Sequence, residues 1–502
     1  MCGIAGVYAL PGHVDAAPAM VDAIAHRGPD ASGLHLAEYP EGTALGNRRL
    51  AILDPRESAN QPYRTHGLTL VYNGEVYNFK AVRTDLEAAG FTFSTNSDTE
   101  VIAKAWRHWG PASLRRFRGM FAFAILDEQT GHLFLARDPL GIKPLYVARR
   151  NGGLAFGSEI KAIRRAMPDL DIDFRGVVAS LMYYWIPETH GVFAGVDRLP
   201  AGHWAEATPD GGYQVHCYWS AEQELLVDPG PEPDTEQLRE ILEDSIRAHM
   251  VSDVPVATFL SGGLDSSLVT AVAAASAPDI QAYTIAFRDQ DQRFEAMPDD
   301  AAYAGRFATE LGIKLNEIEI SPNIVDTLPR MVAMLDEPIG DAAAINTYLI
   351  CTAAREAGVK VMLSGMGADE LFGGYRKHLA NLIAARYRRM PESMRRRLVE
   401  PAVAALPVAG KRRGYRYSRW AKRFVGFASQ DEAASFHGSY SLFGDGELRE
   451  LVGPELRASV DELVAEHTAV YWSGPADDHV NRMTYTDTQM FLVGLNLTYT
   501  DR

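Results

Sequence analysis

The residue with the greatest chemical reach in this chain is its second. The sequence opens Met1-Cys2-Gly3-Ile4-Ala5-Gly6, so removal of Met1 leaves a cysteine carrying both a thiol and a free α-amine. The thiol is a nucleophile, and an α-amine of pKa roughly 7.7–8.0 can act as its general base near neutral pH. Such a site needs no other side chain to activate the sulfur. A lone cysteine near a terminus is more often an ordinary packed residue.

In the other half, residues 254–260 (VPVATFL) are short, apolar and β-branched, as expected of a buried strand. They run into Ser261-Gly262-Gly263-Leu264-Asp265-Ser266-Ser267 and an alanine-rich helix over 268–276. Strand, glycine turn and helix N-terminus together present N–H groups and a helix dipole to phosphate. The Walker spacing and its lysine are absent. A second strand, 359–364, ends in Gly365-Met366-Gly367-Ala368-Asp369-Glu370. Ligands bind beyond the carboxyl ends of parallel strands, where Asp265 and Asp369 fall as oxygen ligands for Mg²⁺. Singly, either aspartate reads as a helix N-cap.

Six ordered segments accompany Cys2. They are His26-Arg27-Gly28-Pro29-Asp30, Asn47-Arg48-Arg49-Leu50-Ala51-Ile52, Tyr72-Asn73-Gly74-Glu75-Val76-Tyr77-Asn78 and Asn96-Ser97-Asp98-Thr99-Glu100. The last two are Ala136-Arg137-Asp138-Pro139-Leu140-Gly141-Ile142-Lys143-Pro144-Leu145-Tyr146 and Phe156-Gly157-Ser158-Glu159-Ile160-Lys161. In this order they resemble the glutaminase half of the N-terminal-nucleophile (class II) glutamine amidotransferases. The resemblance implies Cys2 as nucleophile, Asn73 and Gly74 as oxyanion hole, and Arg49, Ile52, Asn73, Glu75 and Asp98 as the glutamine pocket. The residue types suit that chemistry. Arg49 offers a fork for the carboxylate of glutamine, and Asp98 and Glu75 offer charge for its ammonium. The Asn73 amide and the Gly74 N–H can meet the tetrahedral oxyanion. On local grounds, Asn73-Gly74 also reads as a hairpin turn between strands 68–72 and 76–79.

The SGGxDS loop resembles the pyrophosphate loop of the ATP pyrophosphatases. With both halves in this order, the chain resembles the glutamine-hydrolysing asparagine synthetases over essentially its whole length. That likeness implies ATP at Leu260, Ser261, Gly262, Gly263, Asp265, Ser266, Ile285, Ser364 and Gly365, and Mg²⁺ at Asp265 and Asp369. It further implies a glutamyl thioester on Cys2, an acyl-adenylate in the second half, and ammonia passing between them through a tunnel that keeps it unprotonated. A homodimer belongs to the same expectation.

Two departures stand out. Met366 replaces the glutamate of the family's Ser-Gly-Glu-Gly, and a thioether accepts no proton from attacking ammonia. Either Glu337 or Glu370 takes over as base, or the acceptor is a carboxylic acid other than aspartate, such as a secondary-metabolite intermediate or an acidic sugar. Aspartate is the favoured acceptor. Secondly, the family's segment continues past Arg502 into a Ser-Met-Ala stretch, so the synthetase half reads as truncated. A glutaminase or scaffold without synthetase activity is the remaining alternative.

The elements that must carry these residues are legible in outline. The expected fold is an α+β, αββα N-terminal-nucleophile sandwich followed by an α/β parallel-sheet domain of the ATP-pyrophosphatase type. The glutaminase domain covers 1–220, a linker 221–234 and the ATP-binding domain 235–502. The linker core, Asp228-Pro229-Gly230-Pro231-Glu232-Pro233, is proline-rich and stiff. Strands are expected at 281–287 and within 202–219, helices at 235–251, 301–312 and 343–358, and a mobile lid at 288–300.

With 502 residues and 47% hydrophobic content, packed cores are affordable, and a net charge of −16 argues against nucleic acid or anionic membrane as partners. The arginine-rich stretches 386–397 and 411–422 read as solvated faces. Cys2, Cys217 and Cys351 form no disulfide framework or zinc pattern; Cys217 is expected half-buried and Cys351 in the core. Neither a signal peptide nor an apolar span is apparent, so the expected setting is the cytoplasm.

Overall fold

The structure is a computed structural model and describes residues 2–227, 234–287, 300–320, 324–408, 415–474 and 477–501. The linker core 228–233, most of the expected lid and the basic residues 411–414 lie outside these. The strands of the first half are β1 (Gly3–Tyr8), β2 (Ala31–Leu36), β3 (Ala44–Arg49), β4 (Tyr63–Thr65), β5 (Leu68–Val76) and β6 (Gly119–Asp127). They continue with β7 (Leu133–Arg137), β8 (Tyr146–Arg150), β9 (Gly153–Gly157), β10 (Val196–Arg198), β11 (His203–Ala207) and β12 (Tyr213–Cys217). Two six-stranded antiparallel sheets result, ordered β10-β8-β9-β1-β3-β2 and β12-β11-β7-β6-β5-β4.

Between the sheets lies a core of Ile4, Tyr8, Leu45, Val71, Ala122, Ala124 and Phe156. Helices Phe79–Ala88 and Asp98–Trp109 cover the outside of one sheet through Val82, Leu86, Val101 and Trp106. Helices Ala17–Ala23 and Ile160–Ala166 cover the other through Met20 and Ile163. Helix, sheet, sheet, helix is the αββα arrangement, and it sandwiches β1 and β5 at the centre.

In the second half, β13 (Val256–Phe259), β14 (Gln281–Phe287), β15 (Lys314–Ile320) and β16 (Val361–Leu363) form a parallel sheet ordered β15-β14-β13-β16. Helices Leu264–Ser276, Asp300–Leu311 and Ala343–Glu356 make the crossovers that parallel pairing requires. Further helices build a layer whose core includes Phe436, Tyr440, Leu463, Tyr471 and Leu495. Val178, Met182, Tyr183 and Trp185, all from the first 220 residues, are buried in that same core.

Several expectations need correcting. Asn73-Gly74 is not a turn, because β5 pairs with β6 without interruption from Leu68↔Asp127 to Val76↔Gly119. The glycine is there for close approach: a Cβ at Gly74 (φ +155°) would stand 2.1 Å from the Met120 carbonyl oxygen. Strand β15 escaped the sequence reading since its Lys314, Glu317 and Glu319 mask a one-sided edge strand. Cys217 and Cys351 are both exposed. Cys351, seven residues from buried Ala344 and three from buried Ala354, shares their side of helix Ala343–Glu356 and is nevertheless exposed. Within the arginine-rich stretch, Arg388 turns inward, with both terminal guanidinium nitrogens buried.

Candidate active sites

Cys2 immediately precedes β1, with its sulfur against the start of the loop after β3. The Leu50 N–H donates to Sγ at 3.3 Å. Burial pushes the thiol above its ordinary pKa, and the Leu50 contact pulls the other way. Asn47 ties β1 to β5, its Nδ2 donating to the carbonyls of Gly3 and Tyr72 at 3.3 Å each.

Along β5 side chains alternate: Leu70 and Tyr72 belong to the outer core and Val71 to the inter-sheet core. Asn73 therefore lies on the face toward β1. It is buried, and neither Oδ1 nor Nδ2 has a hydrogen-bond partner. Glu75 Oε2 is likewise buried and unpartnered. Buried polar groups are rarely left unsatisfied, so two in succession mark a place where a ligand belongs.

Glu75 is held well above the usual carboxylate range, first by burial and then by the charge of Asp98, with Lys143 opposing. Asp98 accepts from the Tyr72 hydroxyl at 2.8 Å and the Val76 N–H at 3.1 Å, and burial raises its pKa too. Arg49, though buried, spends its fork on the loop that follows. It donates to the carbonyls of Leu53 (3.0 Å) and Asp54 (2.6 Å) and to Asn60 Oδ1 (2.7 Å). Its charge still acts on Cys2 and Glu75. The Ile52 carbonyl accepts from the Asp253 N–H of the second half at 3.1 Å.

At the end of β13 the chain turns through Ser261-Gly262-Gly263, with Gly262 at φ +73° against Tyr303. The Leu260 side chain is buried, so only its backbone faces a ligand. Ser261 and Ser266 bind each other, Oγ to Oγ at 3.0 Å, closing the loop. Neither aspartate is an N-cap, since Gly263 and Gly367 hold those positions. Gly365 wedges the β16 loop against the β13 loop: a Cβ there would lie 2.8 Å from both Asp265 Cβ and the Ser266 nitrogen. Asp265 and Asp369 are brought together, and both are raised, chiefly by burial and for Asp265 also by the charge of Asp369.

Two hard oxygen donors that repel one another fit Mg²⁺, which keeps its remaining positions for water and phosphate. Among the described residues no group of three or more His, Cys, Asp or Glu gathers as a metal site. Ile285 on β14 and Ser364 after β16 lie along the same sheet.

Sequence reasoning passed over the polar frame behind these loops. Lys377 donates to Asp487 Oδ1 at 2.7 Å with its ammonium 3.7 Å from the Phe491 ring centroid, and His378 pairs with Asp487 Oδ2 at 2.7 Å. Glu370 is fully buried. Its Oε1 accepts from the Tyr375 hydroxyl (2.8 Å) and the Asn496 amide, and its Oε2 has no partner. Burial raises it above the ordinary range. Met366 packs on the apolar cluster, its sulfur 3.9 Å from the Tyr499 hydroxyl. Glu337 is committed elsewhere, accepting from Tyr146 Oη and Arg198 at 2.5 Å each.

Charge also crosses between the halves. Arg27 donates through Nε to the Cys2 carbonyl (2.8 Å), through Nη1 to Glu159 (3.0 Å) and through Nη2 to Asp501 (2.5 Å), while Lys143 donates to Asp501 at 3.0 Å. Arg27, Lys143 and Glu159 all stand inside the quoted motifs, which gave no sign of their partner at position 501.

Set beside known sequences, residues 1–219 match the family described as Glutamine amidotransferase domain and residues 237–502 that described as Asparagine synthase. Asparagine synthetase (glutamine-hydrolyzing) 1 of Bacillus subtilis is 35% identical over 428 residues, 82% of this chain and 64% of the relative. A putative asparagine synthetase (glutamine-hydrolyzing) of Mycobacterium tuberculosis is 33% identical over 529 residues, 100% of this chain and 78% of the relative. Amidase chry2 of Gibberella zeae is 31% identical over 409 residues, 75% of this chain and 59% of the relative. The chain thus spans less than two thirds of the length of the Bacillus relative. No helix among the described residues is long and apolar enough to cross a membrane.

Proposed function

Since the chain belongs to the glutamine-hydrolysing asparagine synthetase family, we propose that it uses glutamine nitrogen and ATP to amidate a carboxylic acid. The observation that carries this reading is the unpartnered, buried Asn73 amide and Glu75 oxygen on the β5 face toward Cys2. They are groups in want of an oxyanion and an ammonium.

In this reading Cys2, freed of Met1, attacks the side-chain amide carbon of glutamine, its own α-amine taking the thiol proton. Asn73 Nδ2 and the Gly74 N–H receive the oxyanion, and collapse expels ammonia and leaves a glutamyl thioester for water to hydrolyse. Glu75 and Asp98 orient the ammonium. The Arg49 charge draws the carboxylate, which exchanges with loop carbonyls for the fork.

In the second half, the Ser261–Ser266 loop and the helix behind it hold the ATP phosphates. Asp265 and Asp369 would hold Mg²⁺, which when bound would supply positive charge to offset that of the pyrophosphate. The acceptor carboxylate becomes an acyl-adenylate, and ammonia displaces AMP. Glu370, rather than Glu337, is the carboxylate left to take the proton, because Glu337 is already clamped by Arg198 and Tyr146.

Aspartate is the first acceptor to test. A different carboxylic acid is the second reading, favoured by a thioether at Met366 and by a relative named an amidase. Pyrophosphate release with glutamine, MgATP and a panel of acids separates them. Release dependent on aspartate supports the first reading, and release with another acid alone supports the second. Silence with every acid overturns synthetase activity and leaves a glutaminase.

A further inference from the structure

The carbonyl of the nucleophile is held by Arg27, and Arg27 is held from the other half of the chain. Its three donor nitrogens diverge to the Cys2 carbonyl oxygen at 2.8 Å, Glu159 Oε1 at 3.0 Å and Asp501 Oδ2 at 2.5 Å. The side chains of Arg27, Glu159 and Asp501 are at most 2% exposed. Asp501 Oδ1 takes the ammonium of Lys143, which is fully buried. The charge of Lys143 in turn acts on Glu75. One carboxylate thus touches, through a single intervening residue each, the nucleophile and the group facing the glutamine ammonium.

Asp501 ends the helix Leu497–Asp501, which continues the π-helical stretch Asp487–Asn496 without a break. That stretch is pinned at its start by Lys377 and His378 on Asp487, and at its end by Asn496 on Glu370 and Tyr375. Asp369 sits beside that frame, raised chiefly by burial, with the charges of His378 and Lys377 opposing. A single helical segment therefore runs from the phosphate end of the parallel sheet to the back of the thiol site. Charge-assisted contacts at both ends fix its register.

We propose that Asp501, carried by the synthetase half, is a positioning residue for Cys2: it locks Arg27 so that the Cys2 backbone presents the sulfur to the Asn73–Gly74 face. Movement of the 487–501 helix is then felt directly at the nucleophile. The proposal rests on the reading of Cys2 as nucleophile.

Full-length protein is assayed for glutamine hydrolysis and, separately, for the rate at which iodoacetamide alkylates Cys2. Asp501→Asn keeps size and one acceptor but removes the charge that orients Arg27. It should lower kcat for glutamine hydrolysis by about 10- to 100-fold, the scale of a displacement of roughly 1 Å at a reacting atom. KM should change less than threefold, and the pH dependence of Cys2 alkylation should move. Asp501→Glu should recover part of the rate. Where Asp501→Asn does not fold, Arg27→Lys reads the same contact from the other side, keeping charge and losing the three-way fork, with the same loss of kcat expected. Unchanged kcat and alkylation in a folded Asp501→Asn or Arg27→Lys protein overturns the proposal. Cys2→Ala run alongside distinguishes its failure from that of the underlying reading: residual glutamine hydrolysis there removes Cys2 as nucleophile, whatever Asp501 does.

Discussion

Replacing Asn73 by leucine should move activity and stability in opposite directions. The Asn73 amide is buried with neither polar atom bonded, and a buried unsatisfied group costs about 1–3 kcal/mol. Leucine is close in volume, offers no polar atom and strands no partner. It should therefore return about 1–3 kcal/mol, or about 2–12 °C in Tm at about 2–4 °C per kcal/mol for a domain of this size. The same change deletes an oxyanion donor, and such a loss costs about 10²- to 10³-fold in kcat, about 2.7–4 kcal/mol. Glutamate release under saturating glutamine measures the first effect and a thermal melt the second. Ammonia-dependent amidation should be untouched. A drop in Tm of several degrees together with lost hydrolysis would make Asn73 a structural residue. Hydrolysis within fivefold of the starting protein would remove it from the oxyanion hole.

Cys2→Ala should abolish glutamine-dependent turnover and spare the ammonia-dependent reaction, as read by pyrophosphate release with each nitrogen source. Gly74→Ala drives a Cβ to 2.1 Å from the Met120 oxygen, so β5 and β6 must part; a loss of at least about 1–3 kcal/mol and of glutaminase activity is expected in denaturant titrations. The raised pKa values of Asp265 and Asp369 carry a definite sign. The folded state binds protons that the unfolded chain has released, so stability falls as pH rises from the ordinary carboxylate value through the folded ones. Asp369→Asn should flatten that fall in melts at pH 3.5 to 7, and Mg²⁺ added to the unaltered protein at pH 7 should offset it. A Tm indifferent to both would separate the two carboxylates from any metal.

What was readable from sequence follows from what each residue answers to. The strand, glycine turn and helix over 256–276 are legible because they are local and contiguous. Asn73-Gly74 reads on local grounds as a turn because the dipeptide preference is real, yet nine residues of pairing with β6 outweigh it. The role of Gly74 comes from Met120 across the ladder, which no window around position 74 contains. Cys351 shows the opposite failure: it lies on the buried side of an apolar helix, beside Ala344 and Ala354, and is still exposed, because exposure at one position depends on what the rest of the fold places over it. The residue type of Arg49 offers a fork, and only the folded loop shows its donors engaged at 53, 54 and 60. Arg27 to Asp501 spans 474 positions, and charges so far apart pair only once both halves are placed.

That long-range frame has a physical consequence of its own. The seam between the halves joins Arg27, Glu159, Lys143 and Asp501, then Arg198, Tyr146 and Glu337, and then Asp336 with the N–H groups of Ile160 and Lys161. Buried ion pairs add little net stability over apolar packing, because desolvation offsets their attraction, but breaking one leaves an uncompensated charge and costs about 3–5 kcal/mol. Displacement along this seam is penalised at every buried charge it would separate. In the proposed reaction, ammonia leaving Cys2 stays largely unprotonated only while bulk water is kept from it, so the two sites share it most efficiently if the surfaces between them do not part. The apolar contacts of Val178, Met182, Tyr183 and Trp185 hold the halves together, and the buried charges beside them fix one register. On the proposed reading the interface would help set the geometry between the two sites, and the Asp501–Arg27–Cys2 contact is the path by which its register would reach the sulfur.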